Sequence, residues 1–398
     1  MIVPMLTESE ALDRILAMVR PLAIESIPLR RTAGRFSAVD LVATVPSPPF
    51  DNSAMDGFAL AFGGTSAQAG ARFRVVGSQP AGPDAGLSLV PGEAARIFTG
   101  APIPKGTSGV AMQEDTRGEP DAVVLTDECM RDEFIRRAGA DVCRGQRILT
   151  RGEAVTPARA GLLASQGLAV LEVHAVPRVT ILSTGDELVP PGQPLAPGQI
   201  YESNGVLLAA LVEASGAIVA EVKTVRDDPV AIEATLRVAV ETADVLILSG
   251  GVSVGERDYV KPALARVGVE ADFWRVAVKP GKPFLFGQAG VGATVFGLPG
   301  NPVSSFVTFL LFVRPALRRM MGATVVTPAA HSVRAGVALE NRDPRPHYVR
   351  GRIEAGEFRP EGRQESHALF GLSRSDALVR VPAGGAIAAG DVVDAIAL

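Results

Sequence analysis

Apolar positions along the chain change their period several times, and the changes mark its organisation. Between Thr7 and Arg20 they recur at helical spacing, with Leu12, Ile15, Leu16 and Val19 on one face. Thr7 and Glu10 have capping-box spacing, and Pro21 follows the segment. From about Ile27 to Arg137 the apolar residues fall in short runs, Phe73–Val76, Ala94–Phe98 and Ala122–Leu125, set between Gly and Pro turns. That is strand text, and it predicts a small β-rich lobe over 27–137. Thr156-Pro157 predicts a helix start and Gly167 its left-handed end.

From Arg178 the pattern becomes a regular alternation. Strands are predicted at Val179–Leu182, Ile218–Val225, Val245–Leu248 and Thr294–Phe296. Helices are predicted to begin at Ser203, Asp228-Pro229, Asp258 and Asn301-Pro302, the last running to about Met321. Val245–Leu248 has no polar interruption, as expected of a parallel strand covered on both faces. The expectation is a multidomain α/β chain with a doubly wound domain over 178–325. A small all-β domain follows over 326–398. The segments 1–26 and 138–177 are read together as a discontinuous linking region.

Composition narrows the functional classes. With 398 residues, 47% of them hydrophobic, the chain can bury its cores without disulfides. A net charge of −4 gives no electrostatic footprint for nucleic acid. Two cysteines and four scattered histidines argue against a zinc or disulfide scaffold. The start, MIVPMLTESE, has no basic segment leading into an apolar one, and the greasiest stretch, Phe306–Val313, is far shorter than a membrane span of roughly 20 residues. A cytoplasmic protein without membrane attachment is expected. Of 39 basic residues only five are lysine, and two of them, Lys279 and Lys282, share one proline-flanked turn. In so Arg-dominated a chain, that placement suggests a need for compact ammonium groups.

In open parallel sheets ligands bind beyond the carboxyl ends of the strands. Three loops at such positions are rich in glycine and hydroxyls: Ser183-Thr184-Gly185-Asp186-Glu187, the run from Ser249-Gly250-Gly251 through Ser253 to Asp258, and Pro299-Gly300-Asn301-Pro302 with Ser304. Backbone amides in such loops can cradle an anion. They match neither the G-x-G-x-x-G nor the Walker A pattern. A tight turn alone would explain any one of them; three on one sheet edge predict a phosphate site. Asp186, Glu187 and Asp258 would repel phosphate unless a cation intervened, which suggests Mg²⁺, although Asp258 also suits a helix cap. Lys279-Pro280-Gly281-Lys282-Pro283 adds two preorganised positive charges. In the N-terminal lobe, Asp51 and Asp56 lie with Asn52 in one short loop bounded by Pro and Gly, which looks functional, and Thr99 stands beside a tight turn; an Asx-turn network is the alternative reading of that loop.

These residues carry a resemblance that covers nearly the whole chain. It rests on FDNSAMDGFA at 50–59, RIFTGAPIP at 96–104, STGDEL at 183–188, QIYESN at 199–204, SGGVSVGERDY from Ser249, KPGKP at 279–283 and LPGNPVS at 298–304. The chain resembles the molybdopterin molybdenumtransferases, the MoeA/gephyrin E-domain family. Phe58 stands where Tyr is usual, and Arg275 where Lys is common.

The resemblance implies a molybdopterin-binding α/β domain, a small β lobe, a discontinuous linking region and a C-terminal β-barrel-like domain. It implies an elongated homodimer and a reaction that takes adenylylated molybdopterin and molybdate to molybdenum cofactor and AMP, with Mg²⁺. On this reading Glu187 and Asp258 hold Mg²⁺. Asp56, with Asp51 and Thr99, comes to the cleft from the other subunit. Lys279 and Lys282 hold molybdate, with Arg345, Arg350 and Ser366 as further ligands. Asp228 contributes to the site or, more simply, caps its helix. Transient contacts with other cofactor-biosynthesis proteins are expected. Two other readings compete. A pterin-binding scaffold without chemistry has no need of the retained acids and lysines. A sugar-phosphate or nucleotide enzyme explains the cradles but not DNSAMDG or KPGKP.

Overall fold

The computed structural model describes residues 5–251, 259–290 and 292–398. The chain forms two compact units: Met1–Val39, Arg151–Pro157 and Val170–Leu398 make one, and Asp40–Thr150 with Ala158–Ala169 make the other.

The larger unit is built on a six-stranded sheet. Its order is Ile218–Val225, Arg178–Thr184, Val245–Ser249, Thr294–Leu298, Pro283–Ala289 and Val269–Arg275. The first four strands run parallel, and the last two are antiparallel additions. Every residue of Val245–Ser249 is buried, as its uninterrupted apolar text predicts. Of the two antiparallel strands, Pro283–Ala289 buries its apolar run Phe284–Phe286, whereas Val269–Arg275 is partly exposed along its length.

Helix Pro229–Thr242 is capped by Asp228, whose Oδ2 accepts from Ala231 N at 2.9 Å. Ser203 precedes helix Asn204–Ala214 but does not cap it through its side chain. Glu202 Oε1 accepts from Gly205 N at 2.7 Å instead, a charged acceptor outcompeting a hydroxyl. The helical run from Pro302 to Met320 includes a widened π turn at Phe309–Val313. It packs the sheet face where Phe273, Phe284, Phe286, Phe296 and Phe312 meet. Helix Glu8–Met18 has the predicted capping box, with Thr7 Oγ1 accepting from Glu10 N and Thr7 N donating to Glu10 Oε2, and buries Ala11 and Ile15 in this same core.

The C-terminal region closes into a five-stranded barrel, ordered Ala330–Ala335, Glu357–Pro360, His347–Glu354, Ala377–Val381 and Val392–Ala397. A short helix, Leu369–Ser373, interrupts the expected run of strands. The barrel is stitched to the lysine turn: Lys279 N donates to Pro346 O at 2.9 Å, and Tyr348 N to Lys279 O at 2.8 Å.

The smaller unit carries a second six-stranded sheet, ordered Gly109–Met112, Gly57–Leu60, Glu93–Ile97, Arg72–Gln79, Ala122–Leu125 and Thr116–Glu119. Among the described residues no helix is long and apolar enough to cross a membrane.

Candidate functional site

The strand ends of the larger unit and the barrel enclose a cavity of about 800 Å³. Its walls come from four stretches distant in sequence: Gly250-Gly251, the turn from Lys279 to Pro283, Pro299 to Ser304, and barrel residues Arg345, His347 and Gln364–His367. The structure therefore brings Gly250, Gly251, Lys279, Lys282, Pro299, Gly300, Asn301, Ser304, Arg345 and Ser366 together, as the sequence reading grouped them.

The turns are glycine-dependent for identifiable reasons. At Gly251, φ is +64°, and a Cβ would sit 2.4 Å from Val260 Cγ2. At Gly281, φ is +126°, and a Cβ would meet Thr308 Cγ2 at 2.5 Å. Both positions suit only a residue without a side chain. Asn204 ties two of the loops together. Its Nδ2 donates to Ser249 Oγ at 2.9 Å and to Gly300 O at 2.7 Å. Ser183 Oγ donates to Glu202 Oε1 at 3.0 Å, so this serine supports the loop rather than facing the cavity. Pro302 opens the helix, and Asn301 Nδ2 donates to Ser366 Oγ at 2.9 Å, joining sheet and barrel.

The charges are arranged by one carboxylate. Asp343 Oδ1 and Oδ2 accept from Arg345 Nε and Nη2 at 2.8 and 2.9 Å, and Lys279 Nζ lies 3.7 Å from Oδ2. The Arg345 hydrogen bonds hold the Asp343 carboxyl down at about 2. Burial, reinforced by the Lys279 charge, pushes the His347 imidazole down to about 4. Both groups make stability pH-dependent. Asp343, lowered from 3.8, adds stability that is lost only as pH falls from 3.8 through about 2. His347, lowered from 6.5, costs no stability above 6.5, where the ring is neutral folded or unfolded, and destabilises the fold increasingly as pH falls from 6.5 toward 4. The charged neighbours acting on the ring are Lys279, Asp343, Arg350 and Arg345. Denaturant midpoints measured between pH 7 and 4 are expected to fall in wild type and to fall less steeply in His347→Gln; equal slopes would remove His347 as the source.

Other predicted site residues lie elsewhere. Arg350 does not line the cavity. It is 1% exposed, its Nη2 donates to Arg363 O, and its backbone N donates to Gln364 Oε1 at 3.0 Å, so it braces the loop that carries Ser366. Asp186 and Asp228 line a separate polar cleft of about 630 Å³ with Lys223 and Arg226. Glu187 is exposed, its carboxylate folded over Gly185, where a Cβ would be 2.6 Å from Oε2. Ser253 and Asp258 lie outside the described residues.

Asp51, Asp56 and Thr99 belong to the smaller unit. Asp56 Oδ1 accepts from Thr99 N at 2.6 Å and from Thr99 Oγ1 at 2.8 Å, which lowers its carboxyl pKa. Asp51 accepts from Ala138 N at 2.8 Å and from Arg137, with the same effect. Glu202, Asn204, Asp343, His347 and Gln364 are site-building residues that sequence reasoning did not single out. For Glu202 and Asn204 the signal was present, in the QIYESN motif.

Known proteins match this chain from end to end. The family model for the "MoeA N-terminal region (domain I and II)" covers residues 6–167, the "Probable molybdopterin binding domain" 180–319, and the "MoeA C-terminal region (domain IV)" 332–398. The "Molybdopterin molybdenumtransferase 2" of Mycobacterium tuberculosis is 39% identical over 384 residues, covering 93% of this chain and 94% of that protein. The chain belongs to the molybdopterin molybdenumtransferase family. The Haemophilus influenzae member of the family is 39% identical over 320 residues, covering 80% and 78% of the two chains. The crystal structure of a "molybdopterin biosynthesis moeA protein" from Pyrococcus horikoshii OT3 superposes with a TM-score of 0.85 at 28% identity, over 99% of this chain and all of that one. The fold just described is thus the family's fold.

Proposed function

We propose that this chain inserts molybdenum into molybdopterin, as a transferase of molybdenum cofactor biosynthesis. Its substrates are adenylylated molybdopterin and molybdate, and its products are molybdenum cofactor and AMP. The observation that carries this reading is the cavity itself. Lys279, Lys282 and Arg345, the last held by Asp343, line it together with Ser366 and with glycine turns able to approach an anion closely. Molybdate is a small tetrahedral dianion and needs such donors. The adenylylated pterin brings a phosphate linkage, for which the Gly250-Gly251 and Gly300 turns offer backbone amides.

Mg²⁺ is part of the proposal. Among the described residues no three His, Cys, Asp or Glu side chains converge as a metal cage. Mg²⁺ does not require one, since it is usually held by one or two carboxylates together with substrate phosphate and water. The exposed Glu187 carboxylate suits that role, with Asp258 as its partner; the ion would neutralise phosphate charge beside these acids. The reading further includes a cytoplasmic homodimer with transient contacts to other cofactor-biosynthesis proteins.

Incubation of the purified protein with adenylylated molybdopterin, molybdate and Mg²⁺ should release AMP. Tight pterin binding with no AMP under these conditions would favour a scaffold instead. In the homodimer, Asp56 of one subunit serves the cleft that holds Glu187 of the other. Asp56→Ala and Glu187→Ala proteins, each inactive alone, should therefore recover part of the activity when mixed into heterodimers. Dead heterodimers from two folded, dimeric variants would rule out a shared cleft.

A further inference from the structure

One buried polar atom beside the cavity has no role in what precedes. His347 heads the barrel strand His347–Glu354, paired with Val381, and is only 9% exposed. The residue is among those lining the cavity, and its Nε2 is buried with no hydrogen-bond partner. Buried polar atoms are nearly always satisfied, so an orphan at a cavity wall points to a partner that arrives with a ligand.

Its surroundings define that ligand. Lys279 is bridged to His347 backbone to backbone, and Arg345 lies two residues before it. Both cations serve an anion. A third cation packed among them would be costly, and a carboxylate would repel the anion. A neutral imidazole avoids both penalties and still presents one N–H donor. Burial and the Lys279 charge keep the ring neutral at physiological pH. A histidine serving only to pack the barrel would have no reason to leave Nε2 unpaired at the wall, where leucine would fill the space without an orphaned atom.

We propose that His347 is a molybdate-binding residue, donating from Nε2 to an oxygen of the dianion held by Lys279, Lys282 and Arg345. The assignment rests on the molybdate reading above and adds a ligand to it.

Direct binding tests it without turnover. Molybdate alone is equilibrated by dialysis with the full-length wild type, His347→Leu and His347→Gln, and the denaturant midpoint of each is recorded. His347→Leu should bind molybdate about tenfold more weakly while holding or gaining stability, because it deletes an orphaned polar atom. His347→Gln, whose amide nitrogen can take the place of Nε2, should bind within about threefold of wild type. Equal binding by wild type and His347→Leu would overturn this assignment and leave the molybdate reading standing. Equally weak binding by both variants, with lowered midpoints, would make His347 structural and overturn it as well. No binding by wild type would overturn both.

Discussion

Replacing Lys279 or Lys282 with alanine is expected to raise the molybdate concentration for half-maximal AMP release by roughly ten- to a hundredfold per lysine. The size follows from charge-assisted hydrogen bonds, worth about 1.5–3 kcal/mol each, at about 1.4 kcal/mol per tenfold. The structure adds a reason why Lys279 has charge to spare. Asp343 lies 3.7 Å from its ammonium but is already gripped through both oxygens by Arg345. The carboxylate thus orients Lys279 without neutralising it. Lys282 is exposed at the other side of the same turn. Arginine should rescue neither position, because a flat guanidinium cannot enter as a compact point donor. Binding of the adenylylated pterin should be little changed. Unaltered molybdate dependence in both alanine variants would show that these lysines merely solvate a turn.

The largest stability effect is expected at Phe284. The residue is fully buried, with ring centroids of Phe312, Phe273 and Phe296 at 4.7, 5.9 and 6.3 Å. It follows Lys282-Pro283 directly, so the packing that anchors the strand also anchors the lysine turn. Phe284→Ala should cost about 3–5 kcal/mol, the transfer term plus the cavity left in a close-packed core. The denaturant midpoint should fall without a change of slope, and Phe284→Leu should fall less. A loss below about 1 kcal/mol for the alanine variant would mean that the aromatic cluster collapses around the gap and does not anchor the turn.

What the sequence made legible was whatever leaves a local mark. Three of the parallel strands, Arg178–Thr184, Val245–Ser249 and Thr294–Leu298, showed as short apolar runs because both their faces are covered, while the edge strand Ile218–Val225 is mostly exposed. The helix starts at Thr7, Asp228 and Asn301 showed because polar and proline residues cluster there. The two antiparallel strands were missed: Val269–Arg275 is partly exposed, and its alternation is broken by Trp274 and Arg275, whereas Pro283–Ala289 carries a buried apolar run that did leave a local mark. Asn204 and His347 are ordinary polar residues in sequence. Asn204 acts through groups 45 and 96 positions away, so the QIYESN motif marks the residue but not its partners. The same limit explains Arg350, which the resemblance implied as a molybdate ligand although the barrel turns it inward onto Arg363. Ser203 looked like a cap, and the neighbouring Glu202 took the amide.

The seam between sheet and barrel has a consequence for how the protein responds to its own substrate. It is closed by the Lys279 backbone bridge and the Asn301–Ser366 hydrogen bond, with the cavity opening beside it. A dianion bound at the proposed site would touch both sides and so act as a removable rivet. At a hundred times its dissociation constant it would add about 2.7 kcal/mol to the folded state. Molybdate supply would then set the resistance of the C-terminal barrel to proteases, coupling the lifetime of the protein in a cell to the availability of the metal.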